Sequence, residues 1–319
     1  MQGKSVKQMP SKASTTWCLA ITLALATWFL LAIGAIVNPM EASLACPDWL
    51  FIPTCNHQIF PPMKAGVLYE HGHRLWACFV GLLTISLALR VWFTKHTSSC
   101  TRMLSLFAIV MVAAQGTLGG VTVLLGLHPL ISSLHLVMGF AFFCLTLELA
   151  IRLCPFSRSL SVSKPPWGSR SLWVALFLTF AQVALGGLVR HMGAALACGN
   201  DWIGCGLGWW PKHGLGHLHM THRIVGYLLA IKILGFSIRC HRQSQSASHI
   251  IWAWIPTLLI MIQVLLGWAS VASLLWVGWV VLHTCTAATL VGLLFMMCRT
   301  AQIAAPKAIA TNAPRPTTH

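Results

Sequence analysis

Eight long apolar runs, parted by short polar or basic connections, make up most of this 319-residue chain. They lie near 17–37, 66–90, 103–126, 130–151, 171–190, 217–238, 250–270 and 274–298. A helix needs about 20 predominantly apolar residues to cross a bilayer core. Each run approaches or exceeds that length, so the pattern predicts an all-α integral membrane protein with eight transmembrane helices. The first run is longer than the core of a cleaved signal. Ser43-Leu44-Ala45-Cys46 faintly resembles a lipoprotein cleavage site, but Ala195-Leu196-Ala197-Cys198 repeats it after the fifth run. The first run is therefore kept as a helix.

Composition agrees: 57% of residues are hydrophobic and only 8% charged. The net charge of +16, from 21 basic and 5 acidic residues, would suit nucleic acid, but its distribution argues otherwise. Lys4, Lys7 and Lys12 precede the first run. Arg90, Lys95 and Arg102 lie on the second connection, Arg152, Arg158, Lys164 and Arg170 on the fourth, and Arg239 and Arg242 on the sixth. Arg299, Lys307 and Arg315 follow the last run. Basic residues on alternate connections mark the cytoplasmic side. Both termini are expected there, in a bacterial inner membrane, with loops 38–65 and 191–216 facing the periplasm.

The chain reads as a duplication. Gly34, Met40, Ala42 and Cys46 match Gly186, Met192, Ala194 and Cys198 at an offset of 152. Asp48-Trp49 matches Asp201-Trp202, and His73-Arg74 matches His222-Arg223. Gln115 and His135 match Gln263 and His283. Each copy has an even number of helices, so both insert the same way, as parallel repeats. The expected organisation is two pseudo-symmetric four-helix bundles. These are an N-terminal half (1–153), a cytoplasmic linker rich in proline (154–170), a C-terminal half (171–305) and a flexible tail (306–319).

Ionisable side chains within the membrane default to a functional reading. His73 and His135 sit on two helices that run in the same direction, each about 10 Å below its helix start at 1.5 Å per residue. His222 and His283 repeat the arrangement. Facing imidazoles can hold a haem iron. A zinc or copper site would call for three or four ligands together, and two per half suits haem better. Glu70 lies three residues before His73, on the same helix face, where the second copy has His219. It reads either as a group that acts on a substrate or as an interfacial acid paired with Arg74 or Lys64. Arg74 and Arg223 read as partners of haem propionates or as side chains snorkelling to water. Cys46 and Cys55 share one outer loop, Cys198 and Cys205 its repeat. Each pair can form a disulfide in an oxidising compartment or act as a redox-active thiol pair; the structural role is preferred. Gln115, Gln182 and Gln263 open Gln-x-x-Leu-Gly segments that read as helix packing. His57, His71, His191, His213 and His217 read as solvated or interfacial.

Glu70-x-x-His73-Arg74, His135, His222-Arg223, His283 and the two cysteine pairs together resemble the haem A synthase family, over about residues 17–298. The resemblance implies oxidation of a methyl group of haem O to a formyl group, by two hydroxylations and loss of water, giving haem A for terminal cytochrome oxidase. It implies that His73 and His135 hold the substrate haem, with Glu70 as catalytic acid. His222 and His283 would be the iron ligands of a haem b cofactor that relays electrons. A haem O synthase is the implied substrate donor; the electron donor is unassigned, and a homo-oligomer is compatible. Rival readings are a non-enzymatic di-haem b-type electron-transfer protein and a haem carrier; neither gives Glu70 a task.

Overall fold

The computed structural model describes residues 11–49, 53–95, 97–155, 169–201, 203–206, 208–212 and 214–303. Most of the expected linker (156–168), the tail, Trp202 and His213 lie outside them. The described residues form eight membrane-length helices: α1 (Ser11–Val37), α2 (Ala65–Phe93), α3 (Ser99–Leu124), α4 (Pro129–Leu153), α5 (Ser169–His191), α6 (Gly214–Gln243), α7 (Ala247–Ala272) and α8 (Val277–Ile303). The chain is a multi-pass membrane protein.

Most helices run a few residues beyond their apolar cores. Two ends go the other way: α3 stops earlier than the pattern predicts and α8 starts later. The reason is a pair of tight turns built from apolar residues. Gly126 and Leu127 in one, and Leu274 and Leu275 in the other, have positive φ. Their backbone bonds repeat as well: Leu127 donates to Thr122 O at 2.8 Å and Leu275 to Ser270 O at 2.7 Å. These turns sit at the same end of the molecule as the two cysteine loops, here called the loop end. The opposite end, carrying the linker, is the linker end.

Within the first half, the neighbours in contact are α1–α2, α2–α3, α3–α4 and α1–α4. The second half repeats this with α5–α6, α6–α7, α7–α8 and α5–α8. Across the halves α4 meets α5, α1 meets α8, and α4 meets α8. Exchanging the halves maps this set onto itself. Each bundle is thus a ring in which the two histidine-bearing helices, α2 and α4 or α6 and α8, occupy opposite corners.

The apolar core follows the ring. Leu23, Val80, Leu87, Phe142 and Leu149 fill the first bundle. A larger cluster joins Phe140 of α4 to Leu172 and Leu176 of α5, Leu229 and Ile233 of α6, and Leu290 and Leu294 of α8. The interface between halves is therefore continuous with the second core. Polar ties pin it, among them Trp28 Nε1 of α1 donating to Thr289 Oγ1 of α8 at 3.2 Å. At the linker end, the Arg299 guanidinium grips the buried Glu148 carboxylate from α8 (2.6 and 2.8 Å), and Arg152 adds a second contact to that acid. At the loop end, Arg190 Nε donates to Asn38 Oδ1 at 2.7 Å.

Candidate functional site

A glycine on the neighbouring helix makes room for each of the four repeated histidines. A Cβ placed on Gly34 of α1 would lie 3.0 Å from Cε1 of His73. The equivalent distances are 2.9 Å for Gly119 and His135, 3.1 Å for Gly186 and His222, and 3.2 Å for Gly267 and His283. So α1, α3, α5 and α7 each offer bare backbone to the imidazole on the next helix.

Three observations fit this arrangement to a haem in each half. First, the two imidazoles of each half are carried on helices at opposite corners of its ring. Second, the described residues contain no group of three or more side chains that could hold a metal ion, the number a zinc or copper site would want. Third, Nδ1 of His283 lies 3.1 Å from the Gln263 carbonyl. An oxygen acceptor requires the proton on Nδ1, which leaves the Nε2 lone pair for an iron. Around the other rings, Nδ1 of His73, His135 and His222 and Oε1 of Gln115, Gln182 and Gln263 are buried without partners.

Above the first histidine pair, the loop end is built as a clamp. Cys46–Cys55 and Cys198–Cys205 are joined as disulfides. Beyond each second cysteine the chain turns back on itself, with Cys55 pairing with Gln58 and Cys205 with Gly208. Arg74 donates to the carbonyls of Asp48 (2.7 Å), Thr54 (2.8 Å) and Cys46 (2.5 Å). Arg223 does the same for Asp201, Gly204 and Gly199. Each arginine therefore fastens its loop on both sides of the disulfide. Trp49 then folds the first loop over α3, where a Cβ on Gly120 would fall 2.0 Å from the indole. Burial would raise the Asp48 carboxyl, but the amides of Asn56 and His57 donate to its two oxygens and hold it at about 2.

Glu70 is drawn into this clamp. It is only 4% exposed. The Cys46 amide donates to Oε2 at 2.8 Å and Arg74 Nη2 to Oε1 at 2.7 Å. Of the two partners weighed for an interfacial acid, Arg74 is the one engaged. The carboxyl group is fixed by these two donors one helical turn from His73, its direction set by the loop. His219 holds the corresponding place in the other half, equally buried.

Three sequence readings change. His71, expected to be solvated or interfacial, is 1% exposed, and its Nε2 meets the Ile59 carbonyl at 3.2 Å. It faces inward because the incoming loop closes over the first turns of α2. Arg223 spends its described hydrogen bonds on loop carbonyls, and Arg74 divides its own between loop carbonyls and Glu70, rather than turning to water. Arg190 was passed over: its one described hydrogen bond is to Asn38, which places a cation from α5 at the seam between the halves. Its signal in the sequence was an arginine in the last turn of α5 where the first copy has Asn38.

Two rings of four membrane-length helices, each with histidines at opposite corners and a disulfide-closed loop above, define a duplicated multi-pass membrane protein with paired imidazole sites. The profile of the COX15-CtaA family, described as cytochrome oxidase assembly protein, matches residues 15–295. The chain is 28% identical over 285 residues to the heme A synthase of Bacillus licheniformis, covering 86% of this chain and 92% of that protein. It is 30% identical over 230 residues to the heme A synthase of Symbiobacterium thermophilum, covering 67% and 72%. With that of Shewanella oneidensis it shares 33% over 201 residues, covering 57% and 59%. The chain belongs to the COX15-CtaA family of cytochrome oxidase assembly proteins.

Proposed function

We propose that this protein is a haem A synthase, an oxidoreductase that converts a ring methyl of haem O to a formyl group. The observation that carries this reading is an inequality between matched halves. Both have histidines at opposite corners, but only the first has a buried carboxylate, Glu70, one turn away. In this reading His73 and His135 bracket the substrate haem. Two successive hydroxylations each remove two electrons from the methyl carbon, and the resulting geminal diol loses water to leave the formyl group. Glu70 acts beside that carbon. Its oxygens already accept the Cys46 amide and Arg74, so its role is electrostatic, stabilising positive charge that develops during oxidation.

The second pair, His222 and His283, would hold haem b, which supplies one-electron transfer when bound. Arg74 and Arg223, each following a histidine, would be the propionate partners in this reading, with part of their hydrogen bonding already given to their loops. The basic linker end, with Arg90, Arg102, Arg152, Arg239, Arg242 and Arg299, supports a cytoplasmic placement of that end, so the disulfide loops face the periplasm. A haem O synthase is the substrate donor in this scheme, because haem O is too apolar to travel freely through water. The test is to express the protein with a source of haem O, extract the haems and separate them by chromatography with mass detection. Hydroxylated and formyl haems are expected. Unchanged haem O alone would reject the enzyme and leave a di-haem electron carrier.

A further inference from the structure

We infer that His73 is the imidazole that gives way on the substrate haem, and that the fold provides for this by leaving it alone untied to its neighbouring helix. The inference rests on the proposal that His73 and His135 bracket that haem. An iron held by two imidazoles offers no open position, so one ligand that can leave distinguishes a site for chemistry from one for electron storage.

The four hairpins α1–α2, α3–α4, α5–α6 and α7–α8 share one plan, and they differ at the level one turn beyond each histidine. Four residues before each histidine-facing glycine stand Leu30, Gln115, Gln182 and Gln263. Four residues after each histidine, at the matching depth, stand Ala77, Gly139, Gly226 and Ala287. Where the second residue is glycine, the glutamine amide reaches across: Gln115 Nε2 donates to His135 O at 2.7 Å and Gln182 Nε2 to His222 O at 2.8 Å. A Cβ on Gly139 or Gly226 would lie 3.3 or 3.0 Å from those amide nitrogens, so the glycines are what admit them. Ala287 fills that space in the last hairpin, and His283 is tied instead through its ring to the Gln263 carbonyl.

The first hairpin has neither device. Ala77 fills the space and Leu30 has nothing to donate; Nδ1 of His73 is buried without a partner, as in His135 and His222, but here no described glutamine bond holds the histidine's own carbonyl instead. The nearest tie between α1 and α2 is the Trp76 indole donating to Ala26 O at 2.9 Å, one turn toward the linker end. It fastens α2 at Trp76 and not at His73 itself. When His73 leaves, the iron–Nε2 bond breaks, the imidazole keeps its lone pair, and the position on the α2 side of the haem opens.

Carbon monoxide binding to the reduced, haem-loaded protein reads this directly, with His73→Ala/His135→Ala as background for the C-terminal haem. The wild type is expected to bind carbon monoxide at the N-terminal haem. Leu30→Gln/Ala77→Gly, which installs the missing tie, is expected to bind it about three- to tenfold more slowly at unchanged haem content, the size one added hydrogen bond gives. In single variants, His73→Ala is expected to retain a five-coordinate, carbon monoxide-reactive haem, and His135→Ala to lose it. The reverse retention pattern, or an unchanged rate in a folded double variant, overturns the assignment of His73. If both histidine variants leave haem content and low-spin spectrum as in the wild type, the bracketing of a haem by this pair fails, and not merely the choice of leaving ligand.

Discussion

Replacing Gly119 by alanine puts a methyl carbon 2.9 Å from Cε1 of His135. Carbon atoms rest at about 3.5–4.0 Å, so the ring or α3 must retreat by about 0.6 Å. Retreat of the backbone is opposed at this very level, because Gln115 of α3 is bonded to the His135 carbonyl and Trp49 lies on Gly120. The strain therefore falls on the imidazole and on any iron it holds. Overpacking of this kind costs about 1–3 kcal/mol, and at about 1.4 kcal/mol per factor of ten that is about a 5- to 150-fold loss. Gly116, one turn away on the same helix, is the control. A Cβ there meets nothing within 4 Å, and alanine favours a helix over glycine by up to about 1 kcal/mol. The assay is the low-spin haem spectrum of the N-terminal site together with the rate of formyl haem formation. Gly119→Ala is expected to lose both in that range, and Gly116→Ala neither. Indistinguishable ligation and turnover in the two variants would refute the claim that these glycines seat the ligands.

Glu70→Gln keeps an acceptor for the Cys46 amide but removes the negative charge. Haem content should hold while product falls about 100-fold or more, and wild-type product levels in extracted haems would sink the electrostatic role. Arg74→Ala frees three loop carbonyls, so hydrogen exchange over residues 46–56 should rise more than about tenfold by mass spectrometry. Arg223→Ala should do this only for residues 198–206; crossed or absent effects would contradict the clamp. For Asp48, the folded value of about 2 lies below the ordinary 3.8. Its contribution to the loop is complete above about pH 4 and fades as pH falls toward 2. Protection of the first loop should follow that window in the wild type, and Asp48→Asn should be flat across it.

The helices were legible because a bilayer demands uninterrupted apolar length. The turns after α3 and α7 were not, because Leu127, Leu274 and Leu275 are as apolar as the helices they separate and only their φ angles set them apart. The histidines were visible as costly polar residues at repeated spacing, and their place at opposite corners came from the ring order. What the glycines do was only half visible. Gln-x-x-Leu-Gly marks packing, but that its glycine faces an imidazole, and that Gly34 does so with no glutamine before it, depends on neighbours distant in sequence. The clamp on Glu70 was hidden for the same reason, since Arg74 reaches backbone carbonyls, which every residue carries.

Asn38 and Arg190 occupy the same place in the two copies, and they touch each other. Two identical four-helix units assembled about an axis would set that side chain against itself, cation facing cation if it were arginine. Joining the units in one polypeptide removes this constraint, because each copy of a position can then change alone. Donor and acceptor at the seam, and acid and imidazole at 70 and 219, are both arrangements that a symmetric pair of separate chains cannot encode. Fusion thus does more than hold two bundles together: it allows one to specialise without the other.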